Sequence, residues 1–146
     1  MKSYWLMLAI ASLALLADPG VARSAQLIGS SGSCADIQHG DTSDGTPMIL
    51  FHCHGSPNQN WVLSAGTVTG ANGTCLDVLG SVAHDGAQII VVQCNGRPSQ
   101  NWQVANGHLI GLGGKCLDVQ GASSADSSPL ILNTCGPAAS QQWSVQ

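Results

Sequence analysis

Apolar residues fall in short runs along this chain, and turn-forming residues close each run. Residues 116–119 read CLDV, residues 88–94 read QIIVVQC and residues 101–104 read NWQV, all rich in β-branched or apolar side chains. Clusters of Gly, Asn, Asp and Pro separate the runs, and helical periodicity is absent. Such a pattern predicts short β-strands.

One stretch adds a specific turn signal. Asn106-Gly107 lies between two apolar arms, and Asn-Gly in that setting is a strong signal for a two-residue β-hairpin. Residues 61–70, which read WVLSAGTVTG, have the same arrangement at an earlier place in the chain. The two stretches predict equivalent hairpins and point to an internal repeat.

The repeat extends along most of the chain with a constant period of 41 residues, the separation of Cys34 and Cys75. It relates six sets of residues: Cys34, Cys75 and Cys116; Cys53, Cys94 and Cys135; Gly29, Gly70 and Gly111; Asp36, Asp77 and Asp118; Gln59, Gln100 and Gln141; Trp61, Trp102 and Trp143. The three copies span about residues 25–64, 65–105 and 106–146. About four strands in each copy give about twelve in all.

Copy number decides between two closed architectures built from four-stranded repeats. A β-propeller needs about four to eight blades, whereas three copies around a pseudo-threefold axis suit a β-trefoil. The predicted fold is therefore all-β, a β-trefoil of three 41-residue repeats. Closure also removes sheet edges that would otherwise promote aggregation.

Residues 1–24 are predicted to be a secretory signal peptide. An apolar run from Trp5 to Ala17 follows Lys2, and a Pro19-Gly20 break with small residues comes next. The run is too short to span a bilayer, which disfavours the alternative of a membrane anchor. One domain over residues 25–146 and a secreted, extracellular location are the expectation.

All six cysteines follow this leader, so three disulfides are the default in an oxidising compartment. A threefold arrangement leaves mainly two patterns, pairing within each copy or between neighbouring copies. Pairing within a copy is favoured because each bridge would staple one repeat by closing a loop of about 20 residues. A zinc site is the alternative, which the absence of any Cys-x-x-Cys pair disfavours.

Charge narrows the choice of partners. The chain has eight acidic residues, of which Asp18 falls in the leader, and Arg97 and Lys115 are the cations of the mature part, with Arg23 if cleavage falls earlier. Such a surface lacks the cationic patch that nucleic-acid or anionic-membrane binding requires. We expect neither nucleic-acid binding nor membrane insertion, and the sequence leaves the oligomeric state open.

Three Gln-x-Trp triplets carry a family resemblance. Residues 59–61, 100–102 and 141–143 form the triplets, each preceded by Cys-Leu-Asp-Val or, at residues 34–37, its variant Cys-Ala-Asp-Ile. The chain resembles the ricin B-chain family of lectins and the related carbohydrate-binding modules. The resemblance covers the whole mature part. It implies a β-trefoil with up to three shallow sugar sites and with the disulfides Cys34–Cys53, Cys75–Cys94 and Cys116–Cys135.

In this family the tryptophan of the triplet is mainly structural. We therefore expect Trp61, Trp102 and Trp143 to fill the core near the pseudo-threefold axis. A buried indole removes a large apolar area from water, and its N–H then needs a hydrogen-bond acceptor.

The resemblance implies a sugar site in the first copy. Members of the family place the aspartate that accepts hydrogen bonds from the sugar in Cys-x-Asp. They place a stacking aromatic residue two residues before the second cysteine and an Asn three residues before Trp. The expected sugar-binding residues are Asp36, Phe51, His54, Asn58 and Gln59. A carboxylate accepts charge-assisted hydrogen bonds from neighbouring hydroxyls. Ile49 stands where galactose-binding relatives often have a glutamine. The alternative for Phe51 is a core residue that points inward. His52 is expected to face away from the site.

The second and third copies match less well. Val92 and Asn133 stand at the aromatic position, and Ser99 and Ser140 replace the Asn. Weaker sites would use these residues: Asp77, Asn95, Gln100, Asp118, Asn133 and Gln141. The alternative for Asp77 and Asp118 is that they accept hydrogen bonds within turns and do not contact sugar. Four other aspartates have the pattern of turn residues: Asp41, Asp44, Asp85 and Asp126.

The combined prediction is a lectin that recognises galactose-like or xylan-like sugars by non-covalent binding, mainly through the first copy. A protein-interaction or toxin-accessory subunit that retains the trefoil is the alternative. The sequence has neither a Gly-x-Ser-x-Gly nucleophile motif nor an evident close pair of catalytic carboxylates, so the chain is predicted not to be an enzyme. No cofactor is expected, and the His52-x-His54 pair lacks a third ligand at a metal-binding spacing.

Overall fold

The structure is a computed structural model that describes residues 23–146. The signal peptide predicted for residues 1–24 falls almost wholly on residues 1–22, outside that range. Residues 23–146 form twelve strands and no α-helix. The strands are β1 Leu27–Gly29, β2 Cys34–Ile37, β3 Thr46–Phe51, β4 Val62–Ser64, β5 Thr67–Thr69, β6 Thr74–Val78, β7 Ile89–Gln93, β8 Gln103–Ala105, β9 His108–Ile110, β10 Cys116–Val119, β11 Ser128–Asn133 and β12 Trp143–Val145.

Eight short 3-10 turns connect these strands within the described range. They are Gln38–Gly40, Pro57–Gln59, Ala71–Gly73, Leu79–Ser81, Pro98–Gln100, Leu112–Gly114, Gln120–Ala122 and Ala139–Gln141. The described residues include no helix long and apolar enough to cross a membrane.

Three hairpins lie at equivalent places in the repeats. The strands β8 and β9 meet through Asn106-Gly107, whose φ angles of 52° and 79° are the left-handed values that a type I′ turn requires. Ala65-Gly66 joins β4 to β5 in the same way, with φ angles of 50° and 84°. At the third place β1 pairs with β12, so the two ends of the described chain close the fold.

The strands β3, β7 and β11 contact one another in a cyclic order around the pseudo-threefold axis. Pro47 pairs with Ile90, Gln88 with Ile131 and Pro129 with Ile49. Each of these strands also pairs with a strand of its own repeat, β2, β6 or β10. This is the β-trefoil that the repeat predicted. On β3, the side chains of Ile49 and Phe51 point to the same face because they are two residues apart.

The core contains the three tryptophans of the Gln-x-Trp triplets, which are buried with a set of aliphatic side chains. Each indole N–H donates to a backbone carbonyl of its own repeat: Trp61 to Ala35 at 3.1 Å, Trp102 to Leu76 at 3.0 Å and Trp143 to Leu117 at 3.1 Å. One disulfide staples each repeat, as predicted: Cys34–Cys53, Cys75–Cys94 and Cys116–Cys135.

A ring of three carboxylates joins each repeat to the next. The side chain of Asp44 accepts the N–H of Gln93, that of Asp85 accepts the N–H of Thr134, and that of Asp126 accepts the N–H of His52, each at 2.8 Å. These aspartates do sit in turns, as the sequence indicates. Each of them also fixes a neighbouring repeat, a role that the local pattern does not reveal.

Hydrogen bonds hold the pKa of three exposed carboxyls below the ordinary value of 3.8. The Lys115 ammonium, followed by Thr134, lowers the pKa of Asp85, the His52 side chain lowers that of Asp126, and Ser43 lowers that of Asp41. A lowered folded-state pKa adds stability above the unfolded value and loses it as pH falls through the folded value. These three groups therefore stabilise the trefoil at neutral pH and lose that effect in acid.

We expect the thermal unfolding midpoint to fall when pH is lowered from about 4 to about 2, since protonation removes these stabilising interactions. The combined Asp85→Asn and Asp126→Asn variant keeps a carbonyl acceptor at both places but cannot titrate. Its midpoint should start lower at pH 7 and change less across the acid range. Calorimetry at a series of pH values measures both, and equal acid sensitivity of variant and parent would contradict the assignment.

Candidate sugar-binding site

The carboxylate of Asp36 forms the floor of a shallow hollow in the first repeat. Asp36 lies on β2 and is 2% exposed. Its Oδ1 accepts the side-chain amide of Asn58 at 2.7 Å, and its Oδ2 accepts that of Gln59 at 2.8 Å. A carboxylate offers about four acceptor positions, so these two bonds fix its orientation and leave capacity for a ligand.

Phe51 forms one wall of the hollow. The pairing of β2 with β3 sets Ile49 opposite Asp36 and Phe51 opposite Cys34. The phenyl ring is half-buried, and its centroid lies 4.4 Å from that of His52 and 5.9 Å from that of His54. The alternative of a Phe51 sealed in the core therefore does not describe this fold.

The hollow has a volume of about 190 Å³. It is lined by Asp36, Gln38, His39, Ile49, Phe51, His54, Asn58 and Ser127. Four of the five residues predicted to bind sugar thus meet in one place. The sequence pattern did not indicate three members, Gln38, His39 and Ser127, and Ser127 comes from the third repeat.

Gln59 is placed differently from the expectation that it lines the site. Its side chain is fully buried. The amide nitrogen donates to Asp36 and to the carbonyl of His52 at 2.9 Å, and the amide oxygen accepts the N–H of His54 at 2.9 Å. Gln59 therefore supports the hollow from beneath, where it orients Asp36 and the backbone beside Cys53.

The two histidines beside Cys53 have separate positions. The side chain of His54 is 29% exposed, and its Nε2 lies 3.3 Å from Oδ2 of Asp36. The ring of His52 points to the third repeat, where its Nδ1 lies 2.8 Å from Oδ2 of Asp126. His52 accordingly lies outside the lining, as the sequence predicts.

In the second repeat the equivalent aspartate is tied into its own backbone. Oδ1 of Asp77 accepts the N–H of Val78 at 2.7 Å, and Oδ2 accepts the buried amide of Gln100 at 3.0 Å. The side chain of Asn95 accepts the N–H of Arg97 at 3.0 Å. With Val92 at the aromatic position, this repeat lacks a ring on which a sugar could stack.

The third repeat resembles the second. Oδ1 of Asp118 accepts the N–H of Val119 at 2.7 Å, and Oδ2 accepts the amides of Asn133 and Gln141, each at 3.1 Å. Asn133 therefore uses its amide inside the protein, at the place where the first repeat has Phe51. The acceptors of both later repeats serve local structure, but Asp77 lies on β6 and Asp118 on β10, so the turn-acceptor alternative does not describe them.

Comparison with known proteins agrees with this architecture. Residues 23–143 match the family described as the ricin-type beta-trefoil lectin domain. The designed threefold-symmetric protein ThreeFoil is 30% identical, with a TM-score of 0.78 over 84% of this chain and 96% of that one. A non-toxic homologue of type II RIPs from Momordica charantia, solved with α-methyl-D-galactoside, is 26% identical, with a TM-score of 0.74 over 84% of this chain and 47% of that one.

Two further proteins are similar, one in structure and one in sequence over a short segment. The agglutinin from Abrus precatorius has a TM-score of 0.78 at 22% identity and covers 90% of this chain. A ribosome-inactivating protein of Sambucus nigra is 44% identical over 41 residues, which are 27% of this chain and 7% of that protein. The match to the Sambucus protein thus spans a small part of its length. The family match over residues 23–143, with three stapled repeats and the trefoil closure, shows that the chain belongs to the ricin-type beta-trefoil lectin domain family, a family of carbohydrate-binding domains.

Proposed function

We propose that the hollow of the first repeat is the main sugar-binding site and that the protein is a lectin for galactose-like or xylan-like sugars. The observation that carries the proposal is the meeting of the Asp36 carboxylate, the Asn58 amide and the Phe51 ring around one volume of about 190 Å³. The first two exchange hydrogen bonds with sugar hydroxyls. The ring packs against the C–H face of the sugar.

The two later repeats support the assignment by contrast. Their aspartates, Asp77 and Asp118, each accept the N–H of the next residue. The equivalent places in these two repeats also lack an aromatic wall. We propose that any sugar binding through Asp77, Asn95 and Gln100, or through Asp118, Asn133 and Gln141, is weaker than binding at the first hollow. A single shallow site of this kind gives a Kd of roughly 0.1 to 1 mM, or about 4 to 5.5 kcal/mol.

Two observations favour different sugars as the ligand. The Momordica homologue was solved with a galactoside, which favours a galactose-like ligand. Ile49 and the adjacent phenyl ring make one side of this hollow apolar, which suits a sugar edge that carries few hydroxyls, as in a xylose polymer. Titration with methyl-β-D-galactoside and with xylotriose separates the two.

Phe51→Ala should weaken sugar binding at least about fivefold, because stacking and apolar contact of one ring contribute about 1 to 3 kcal/mol. Isothermal titration calorimetry with both sugars measures the change. The matched control is Val92→Ala, the equivalent position of the second repeat, which should bind sugar like the parent.

If the folded parent protein binds neither these sugars nor others on a glycan array, the lectin proposal fails and the protein-interaction alternative gains support. Loss of binding in Val92→Ala equal to that in Phe51→Ala would move the main site away from the first repeat. Product release from xylan or from chromogenic glycosides would contradict non-covalent recognition, which is typical of this domain family.

We further propose that the protein is secreted. The three disulfides are typical of an oxidising compartment, and the leader predicted for residues 1–24 suits signal peptidase. The N-terminal sequence of the exported protein is then expected to begin near residue 25. Recovery of the chain only inside cells with Met1 retained would contradict export.

A further inference from the structure

Two side chains border the first hollow at places where the other repeats have glycine. His39 has a φ of 57°, and its equivalents Gly80 and Gly121 have φ angles of 72° and 65°. Ser127 has a φ of 67°, and its equivalents Gly45 and Gly86 have φ angles of 91° and 86°. At both places the backbone is left-handed in all three repeats, a conformation that favours glycine.

Both residues line the same hollow although they come from different repeats. His39 lies in the 3-10 turn that follows β2. Ser127 precedes β11, and the pairing of Ser128 with Leu50 sets Ser127 beside Phe51. The hollow therefore extends across the boundary between the first and the third repeat.

The left-handed backbone alone does not mark a site, since Ser81 and Ala122 adopt it at other places in the chain. The distinguishing feature is that the two departures from glycine, His39 and Ser127, line the same hollow as Asp36 and Phe51. A side chain in this conformation costs of order 1 kcal/mol relative to glycine. Such a local cost points to a role in recognition when the side chain faces a ligand-sized volume.

The chemistry of the two side chains suits a polyhydroxyl ligand. Asn58 and Gln59 already occupy two acceptor positions of Asp36. A serine hydroxyl both donates and accepts, and an imidazole ring can donate from one nitrogen and accept at the other. His39 and Ser127 thus add hydrogen-bonding groups to the lining of the hollow, separate from the Asp36 carboxylate.

We propose that His39 and Ser127 contact the bound sugar and that the first site is assembled from two repeats. The inference rests on the proposed function of the same hollow. It assigns to these residues the recognition of neutral hydroxyls on the parts of the ligand that extend past Asp36, so they set which sugars bind. The third repeat thereby contributes a contact to the first site although its own equivalent hollow lacks a ring.

The test is to return each position to the glycine of the other repeats. Ser127→Gly and His39→Gly should each weaken binding of methyl-β-D-galactoside or xylotriose, whichever the parent binds, by about three- to tenfold, the effect of one lost hydrogen bond. The thermal unfolding midpoint of each variant should be unchanged or higher, because glycine relieves the left-handed backbone. Weaker binding by an equally or more stable protein is a result that partial unfolding does not produce.

The matched controls place the same side chains in the second repeat. A Cβ at Gly86 meets no atom within 4 Å, and one at Gly80 lies 3.8 Å from Val82 Cγ2, so both positions have room. Gly86→Ser and Gly80→His should lower the midpoint and leave sugar affinity unchanged. If Phe51→Ala loses binding while Ser127→Gly and His39→Gly both bind like the parent, the inference is overturned and the lectin proposal stands. If the parent protein binds no sugar, the proposed function falls and the inference falls with it.

Discussion

Trp61→Ala is expected to lower the free energy of unfolding by about 3 to 5 kcal/mol, the usual cost of removing a fully buried tryptophan. The Trp61 side chain is 0% exposed, and its indole N–H donates to the carbonyl of Ala35 at 3.1 Å. The substitution opens a cavity in the core and leaves that buried carbonyl without its partner. Denaturant unfolding followed by circular dichroism gives the change.

Two milder variants keep this prediction testable if Trp61→Ala does not fold. A Cβ at Gly70 would lie 2.6 Å from Cζ3 of Trp61, whereas one at the equivalent Gly29 would lie 3.5 Å from Cζ3 of Trp143. Gly70→Ala should therefore cost about 1 to 3 kcal/mol by overpacking, and Gly29→Ala should cost little. Equal stability of Gly70→Ala and Gly29→Ala, or a loss under about 1 kcal/mol in Trp61→Ala, would contradict this picture of the core.

Replacing Cys34 and Cys53 together with alanine should destabilise the fold by about 3 kcal/mol, since the bridge closes a loop of roughly 20 residues in the unfolded chain. The bridge also joins β2, which carries Asp36, to the segment that holds His52 and His54. Its loss should consequently weaken sugar binding as well. Denaturant unfolding and calorimetric titration of the same variant measure the two effects.

The matched control removes Cys75 and Cys94, which close a loop of the same length in the second repeat. This variant should lose a similar amount of stability and keep the sugar affinity of the parent at temperatures where both variants are folded. If the two double variants bind sugar equally well, then the first disulfide does not hold the site. If neither loses stability, the stapling role assigned to the bridges is wrong.

The sequence predicts the repeat architecture well because the constant register constrains every copy at once. Gly-rich turns and Asn106-Gly107 give local signals from which the strands follow. The six cysteines left pairing within copies and pairing between neighbours open, and the family resemblance implied the pairing within copies. Residues separated by one full period occupy equivalent places, so one identified strand identifies three. The fold class therefore depends on a pattern that single-residue changes do not obscure.

The contacts between repeats could not be predicted in the same way. Asp126 holds His52 although the two are distant along the chain, and Ser127 reaches the first hollow across the β3–β11 pairing. Neither relation follows from the local pattern, because it depends on which repeat faces which after closure. A signal was present at Ser127 and His39, each of which interrupts a position that is glycine in the other two repeats.

Burial is the other property that the sequence did not settle. Gln59 stands beside Asn58, and both are amides at adjacent positions of the same 3-10 turn. Asn58 lines the hollow, whereas Gln59 is fully buried and orients Asp36. Because neighbouring side chains on a tight turn point in different directions, residue type alone does not separate a ligand contact from a supporting one.

The most direct test of a single first-repeat site is a titration of the isotopically labelled mature protein with methyl-β-D-galactoside and xylotriose, followed by amide NMR shifts. We expect the shifts to concentrate at residues 36–39, 49–59 and 126–128. Comparable shifts in the matching parts of all three repeats, or changes centred on Val92 or Asn133 with the first hollow silent, would contradict the account.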